Sequence, residues 1–425
     1  MTKNYELFVD NPIKKQLLND GVAEVADDFS DEKLKLLRYE LQTFVCEGQY
    51  AKGMVRILES YIGNITKAKQ PAAWVSGFFG SGKSHLVKML RYLWTDYQFK
   101  SDNVTARGVA QLPSDISDLL VELSNTGKRH GGLFAASGTL GSGAGDSVRL
   151  ALLGIIYKSL GLPDTYAVAR FILLLKSQGI YEQVKSFVES KGKDFLKEAR
   201  RLYVSTVLSE AILSVDSKFA SNVAEAKNLL RSQYPPQVED ISNDEMLDAL
   251  HEAITASSEQ FPCSLIVLDE VQQFIGEDSN RTNHVQEIVE SCSSHFGGKL
   301  LFVATGQSAL SGTPQLQKLR DRFTVKVELS DSDVETVVRK IVLEKKQDKV
   351  SLIHEIFEKH AGEISRHLAD TRIGPSNEDK EDFVPDYPLL PVRLRFWERS
   401  LRAADMAGTA SQLRSQLRVF QRFHV

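Results

Sequence analysis

The chain has 425 residues, 42% of them hydrophobic and 25% charged, with a formal net charge of -4. That length suits about two or three domains with a substantial core, and the mild acidity argues against a protein that coats nucleic acid non-specifically. The longest apolar runs, such as Phe171 to Leu175, fall far short of the ~20 residues of a membrane helix, and the N-terminus lacks a secretory apolar region, so a cytoplasmic location is expected.

Residues 1–70 read as helical. Asp31 can cap a segment whose stripe is Leu34, Leu37, Tyr39, Leu41, Phe44 and Val45; Gly48-Gln49 breaks it, and Met54, Ile57, Leu58 and Tyr61 resume the period. Two packed helices are implied. The turn Phe44 to Tyr50 is a candidate base pocket, with ordinary core packing of its aromatics an equal alternative. Cys46, Cys263 and Cys292 are widely spread and have no close histidines, which suggests buried free thiols and neither a zinc site nor a disulfide framework.

Ala72 to Val75 reads as a short buried strand, and it breaks into Gly77-Phe78-Phe79-Gly80-Ser81-Gly82-Lys83-Ser84 before the helical spacing of Leu86, Met89 and Leu90. This is a complete P-loop pattern between a strand and a helix. Glycines let successive backbone N–H groups point into one concavity around phosphate oxygens, and the helix adds the positive end of its dipole. Lys83 is expected to reach the β- and γ-phosphates and Ser84 to bind Mg²⁺. Gly77, Gly80, Ser81, Gly82, Lys83, Ser84 and His85 are therefore the candidate nucleotide-binding residues. A glycine-rich turn with no ligand is the alternative, and the full pattern in its flanking context outweighs it.

The P-loop helix should end near Trp94, with another helix from about Ile116 to Ser124 and a strand from Gly132 to Gly138. The following Gly141-Ser142-Gly143-Ala144-Gly145 could be a second phosphate cradle, but it lacks the lysine and hydroxyl pair, which favours a flexible connection. From Val148 to Phe261 the periodic segments are helical: 150–160, 166–176, 181–188, 195–213 and 246–254. If the two halves of a nucleotide site come from neighbouring parallel strands, residues 148–261 are an insertion riding on the core, serving helix packing or partner recognition.

Cys263 to Leu268 is an apolar strand ending in Asp269-Glu270, as in a Walker B strand. Asp269 is expected to hold Mg²⁺ through its water shell and Glu270 to orient the attacking water. Lys299 to Gln307 reads as another buried strand, with Thr305, or second Gln307, placed as a sensor of the γ-phosphate or the water. Arg322, or second Arg320, precedes the strand-like 323–329, where an arginine finger would be offered to a neighbouring subunit; a helix-end salt bridge is the competing reading. Five strand candidates, near 72, 133, 265, 301 and 325, predict a three-layer α/β parallel sheet with ligand at the strands' carboxyl ends. Helices are expected at 334–343, 352–368 and 394–406, with a loop over 370–386, forming a lid rich in arginines. Arg414 is the candidate to reach the γ-phosphate, against a solvated face or a nucleic-acid phosphate contact. The helical pattern is still running at Val425, which suggests the front part of a longer polypeptide.

This order of motifs resembles AAA+ ATPases, particularly the origin-recognition-like branch. Residues 36–50, 75–85, Val267 to Gln273 and Tyr387-Pro388-Leu389-Leu390-Pro391 are similar to the N-terminal ATPase region of the large P-loop protein of bacteriophage-exclusion (BREX) defence systems, the BrxC/PglY family. With this resemblance the chain divides into an AAA+ core at 71–147 and 262–330, an N-terminal helical segment at 1–70 packing on it and a helical lid at 331–425, while the helical insertion at 148–261 departs from the minimal AAA+ pattern. The P-loop and carboxylate motifs point to ATP and Mg²⁺ as ligands and the arginine finger to a homo-oligomer, while the resemblance implies phage restriction alongside a DNA methyltransferase and other BREX components, with DNA as the object. A nucleotide-gated scaffold with negligible turnover is the alternative function.

Overall fold

The computed structural model describes residues 3–10, 23–77, 81–140, 147–256, 260–307, 314–329, 332–341, 343–369, 371, 376 and 379–404. Helices α1 (Asp31–Gln42) and α2 (Gly48–Asn64) lead to strand β1 (Ala73–Ser76), the P-loop turn and α3 (Lys83–Trp94). Helices α4 (Ala106–Val109) and α5 (Ser114–Arg129) precede β2 (Leu133–Thr139). Seven helices follow, α6 (Val148–Ser159), α7 (Tyr166–Ser177), α8 (Tyr181–Ser190), α9 (Phe195–Arg200), α10 (Thr206–Val215), α11 (Val223–Gln233) and α12 (Asn243–Thr255). The chain then forms β3 (Cys263–Asp269), α13 (Val271–Ile275), α14 (Ser279–Phe296), β4 (Leu300–Gly306), α15 (Pro314–Lys318) and β5 (Val325–Glu328). Helices α16 (Ser332–Ile341), α17 (Gln347–Leu368), α18 (Asp379–Asp386) and α19 (Pro391–Ala404) complete it.

All five strands are parallel, in the order β2-β3-β4-β1-β5. Side chains alternate across a strand, so a sheet covered on both faces needs near-continuous apolar strands. Ala73, Val75, Leu265, Val267, Leu301 and Val303 point to one face, where they pack with α1, α2, α3 and α5. Trp74, Ile266, Leu268, Phe302 and Ala304 point to the other, packing with α6, α7, α12 and α14. The result is the expected three-layer arrangement. β4 separates β1 from β3, so the two halves of the candidate site are not on neighbouring strands as the sequence reading assumed. Every residue of β4 is buried, and a strand apolar on both faces belongs in the middle of a sheet.

Residues 148–261 are less separate than expected, because their buried side chains belong to one cluster with the second sheet face. The predicted helix 195–213 is two helices. Ser205 breaks it by capping α10, accepting from the Leu208 N–H while donating to Glu198 Oε2 at 2.6 Å. Helix α11 is too polar to show a stripe and was not anticipated. Within the predicted loop 370–386, α18 forms because Phe383 packs on Phe357, ring centroids 4.1 Å apart, and Arg339 of α16 holds Asp382 and Asp386.

Two buried ion pairs fasten the N-terminal segment to the P-loop helix: Lys88 to Glu40 at 2.5 Å and Arg91 to Asp27 at 2.6 Å. Residues 3–10 behave differently from the rest of 1–70. Leu7 and Phe8 join the lid core of Leu343, Ile353 and Phe383, and Val9 N–H donates to Glu344 O at 2.9 Å while Leu7 O accepts from Lys346 N–H at 2.9 Å. All three cysteines are buried and free; burial pushes the Cys46 thiol up to about 12. Among the described residues no helix is long and apolar enough to cross a membrane.

Candidate functional site

The chain leaves the carboxyl end of β1 at Ser76 and re-enters helix at Lys83, so the P-loop motif sits at the carboxyl edge of the sheet, against the amino end of α3. Gly80 lies outside the described residues. Gly82 is left-handed at φ +82°, and a Cβ there would stand 2.1 Å from Tyr50 Oη. A Cβ on Gly77 would stand 2.6 Å from Ser81 Oγ and 3.2 Å from Leu329. Gly82 therefore needs glycine for conformation and for space, whereas a side chain at Gly77 would first have to displace the Ser81 hydroxyl. Ser81 is fully buried, and its hydroxyl oxygen has no hydrogen-bond partner among the described residues.

Lys83 donates from Nζ to Gly77 O at 2.9 Å. Burial draws its pKa down to about 8, while the charges of Asp269 and Glu270 act in the opposite direction. The lysine and the two carboxylates thus face one another across β4. Ser84, half-buried, occupies the first turn of α3. His85 meets Phe44 edge to face, ring centroids 5.5 Å apart, and burial lowers its pKa to about 4, so the ring is neutral near pH 7. Within the candidate base pocket, Phe44 therefore packs on His85, whereas Tyr50 turns to the P-loop backbone.

Asp269 is buried at the end of β3, and Glu270 follows in the left-handed region at φ +56°, which costs a non-glycine residue roughly 1–2 kcal/mol. Thr305 holds this turn: its hydroxyl donates to Asp269 Oδ1 at 2.5 Å and accepts the Glu270 N–H at 2.9 Å. The hydroxyl proton is committed to Asp269 and the hydroxyl oxygen accepts the Glu270 N–H, so the side chain of the expected sensor residue contacts the carboxylate turn. Burial first, then the neighbouring Asp269, raise the Glu270 pKa, and Lys83 opposes them. Thr305→Val should orphan the Glu270 N–H and free the Asp269 carboxylate, at about 1–3 kcal/mol of stability. A thermal melt reads that loss, and Thr305→Ser should recover most of it.

Arg322 sits at the opposite edge of the sheet. Its carbonyl accepts the Ala72 N–H at 3.1 Å, at the amino end of β1 and so about 13 Å of strand from the P-loop. Its guanidinium pairs with Glu290 of α14 at 2.7 Å, the helix-end salt bridge of the competing reading. The Arg322 backbone stands at the opposite end of β1 from the P-loop and Lys83. Arg320 and Gln307 are exposed. In the lid, Arg395 pairs with Asp379, and Arg414 lies outside the described residues, as does the second glycine loop, 141–146.

These residues fit a nucleotide polyphosphate with Mg²⁺. The orphaned Ser81 hydroxyl, two glycine positions that a Cβ would fill, and a desolvated lysine at a helix amino end suit phosphate oxygens, and one carboxylate with a serine hydroxyl suits a metal that keeps several waters. Compared with known proteins, the chain matches no family model, and no solved structure matches it significantly. Sequence reasoning missed the Tyr50 contact and the true partners of Thr305. Their one signal was the aromatic and hydroxyl identity of the two residues, since the contacts span 31, 35 and 36 positions.

Proposed function

We propose that the chain is an AAA+ ATP-binding and ATP-hydrolysing module that assembles with copies of itself. What carries the reading is the convergence of Lys83, Asp269 and Glu270 at the carboxyl ends of β1 and β3, with Thr305 on β4 locking the carboxylates from between them. In this reading the P-loop N–H groups and Lys83 bind the β- and γ-phosphates, and Ser84 and Asp269 hold Mg²⁺, which would supply charge neutralisation on the phosphates. Glu270 orients and polarises the attacking water, its raised pKa bringing it closer to that of a base working near neutrality. Arg322, freed from Glu290, would serve a neighbouring molecule's site. The resemblance to BREX proteins suggests the setting: phage defence, with a methyltransferase and other BREX components as partners and DNA as the object of the assembly.

The test is molecular mass by light scattering with no nucleotide, with ADP and with a non-hydrolysable ATP analogue, run beside an assay of phosphate release. Assembly that requires the analogue, with measurable turnover, is the expected result. Equal mass in all three conditions and no phosphate release would overturn the proposal.

A further inference from the structure

Tyr50 carries a contact that neither helix packing nor base binding explains. Its ring lies on α2, buried, and its hydroxyl donates to the Ser81 carbonyl at 2.5 Å. A phosphate cradle works only if its backbone N–H groups point inward, and in a trans peptide the carbonyl then points outward from the same plane. The Ser81 carbonyl and the Gly82 N–H share one such plane. Holding the carbonyl outward with a buried donor therefore aims the Gly82 N–H into the concavity. Gly82 matches this arrangement, because its φ of +82° is open to glycine and any Cβ would stand 2.1 Å from the same phenol oxygen.

We infer that Tyr50 is a positioning residue for phosphate binding, a hydroxyl that pre-orients the Ser81–Gly82 peptide from outside the loop. The inference rests on the nucleotide reading above. It also gives α2 a link to the lid, since Glu47, one turn before Tyr50 at the amino end of α2, is paired with Lys340 of α16.

The experiment compares wild type, Tyr50→Phe, Tyr50→Leu and Lys83→Ala as full chains, measuring ADP and non-hydrolysable ATP-analogue affinity by calorimetry and nucleotide-free melting temperature. Losing one buried donor and orphaning its carbonyl should weaken both nucleotides about tenfold in Tyr50→Phe, with a folded melting profile retained. Wild-type affinity in Tyr50→Phe with weakening only in Tyr50→Leu would show that the ring matters and the hydroxyl does not, overturning the inference. An unfolded Tyr50→Phe would assign the hydroxyl to stability and overturn it as well. Wild type that binds no better than Lys83→Ala would instead remove the nucleotide reading beneath it.

Discussion

Lys83→Ala should abolish tight binding of the ATP analogue, by at least about 100-fold in dissociation constant, because a charge-assisted contact to phosphate in a desolvated pocket has no substitute there. Calorimetry measures this directly. The fold should not suffer. Burial holds the Lys83 pKa at about 8, below the 10.5 of an ordinary lysine, so the buried charge opposes folding at neutral pH, and the variant's melting temperature should equal or exceed that of wild type. The same shift gives a pH dependence. Between pH 8 and 10.5 the unfolded chain binds more protons at this lysine than the folded one, so its contribution to stability without nucleotide rises with pH. Nucleotide affinity should run the other way and fall as pH climbs through about 8, because the neutral amine no longer attracts phosphate. An affinity indifferent to both the substitution and the pH would count against Lys83 as the phosphate contact.

Glu270→Gln should separate binding from turnover. The amide keeps the size and left-handed backbone of the carboxylate but cannot polarise water, so phosphate release should drop by about 10²–10⁴ while ATP-analogue affinity changes by no more than about threefold. Steady-state rates beside calorimetry make the comparison. Because burial and Asp269 raise the Glu270 pKa above its ordinary 4.5, the acid limb of the wild-type rate should lie above that value and vanish from the residual rate of the variant. An unchanged basal rate would mean that Glu270 does not serve the water.

Much of the site was legible before folding because its signals are local. Strand β1, the motif from Gly77 to Ser84 and the spacing of α3 lie within one short stretch, and the apolar strand ending in Asp269-Glu270 announces itself without reference to any other segment. Strands β1, β3 and β4 were legible for the same reason, since a strand covered on both faces must be apolar throughout, whereas the edge strand β5 shows the alternation Val325-Lys326-Val327-Glu328. Helix α11 escaped because it buries little beyond Ala226 and Leu230, and α18 because its stability comes from Phe357 and Arg339 on other helices.

By itself, then, the amino-acid sequence determined the strands, most helices and which residues are the candidates for the P-loop motif and the carboxylate pair, all of which depend on neighbours a few positions away. Only the tertiary structure decided that β4 stands between the two halves of the site, that Thr305 spends its hydroxyl on Asp269 and Glu270, that Tyr50 grips the Ser81 carbonyl, and that Arg322 faces Glu290 at the far edge of the sheet. Each of these joins residues 31 or more positions apart. A hydrogen bond or ion pair of that span is set by the order in which strands pair and by which helix face is left to meet them, and neither quantity is carried by the local periodicity of the chain.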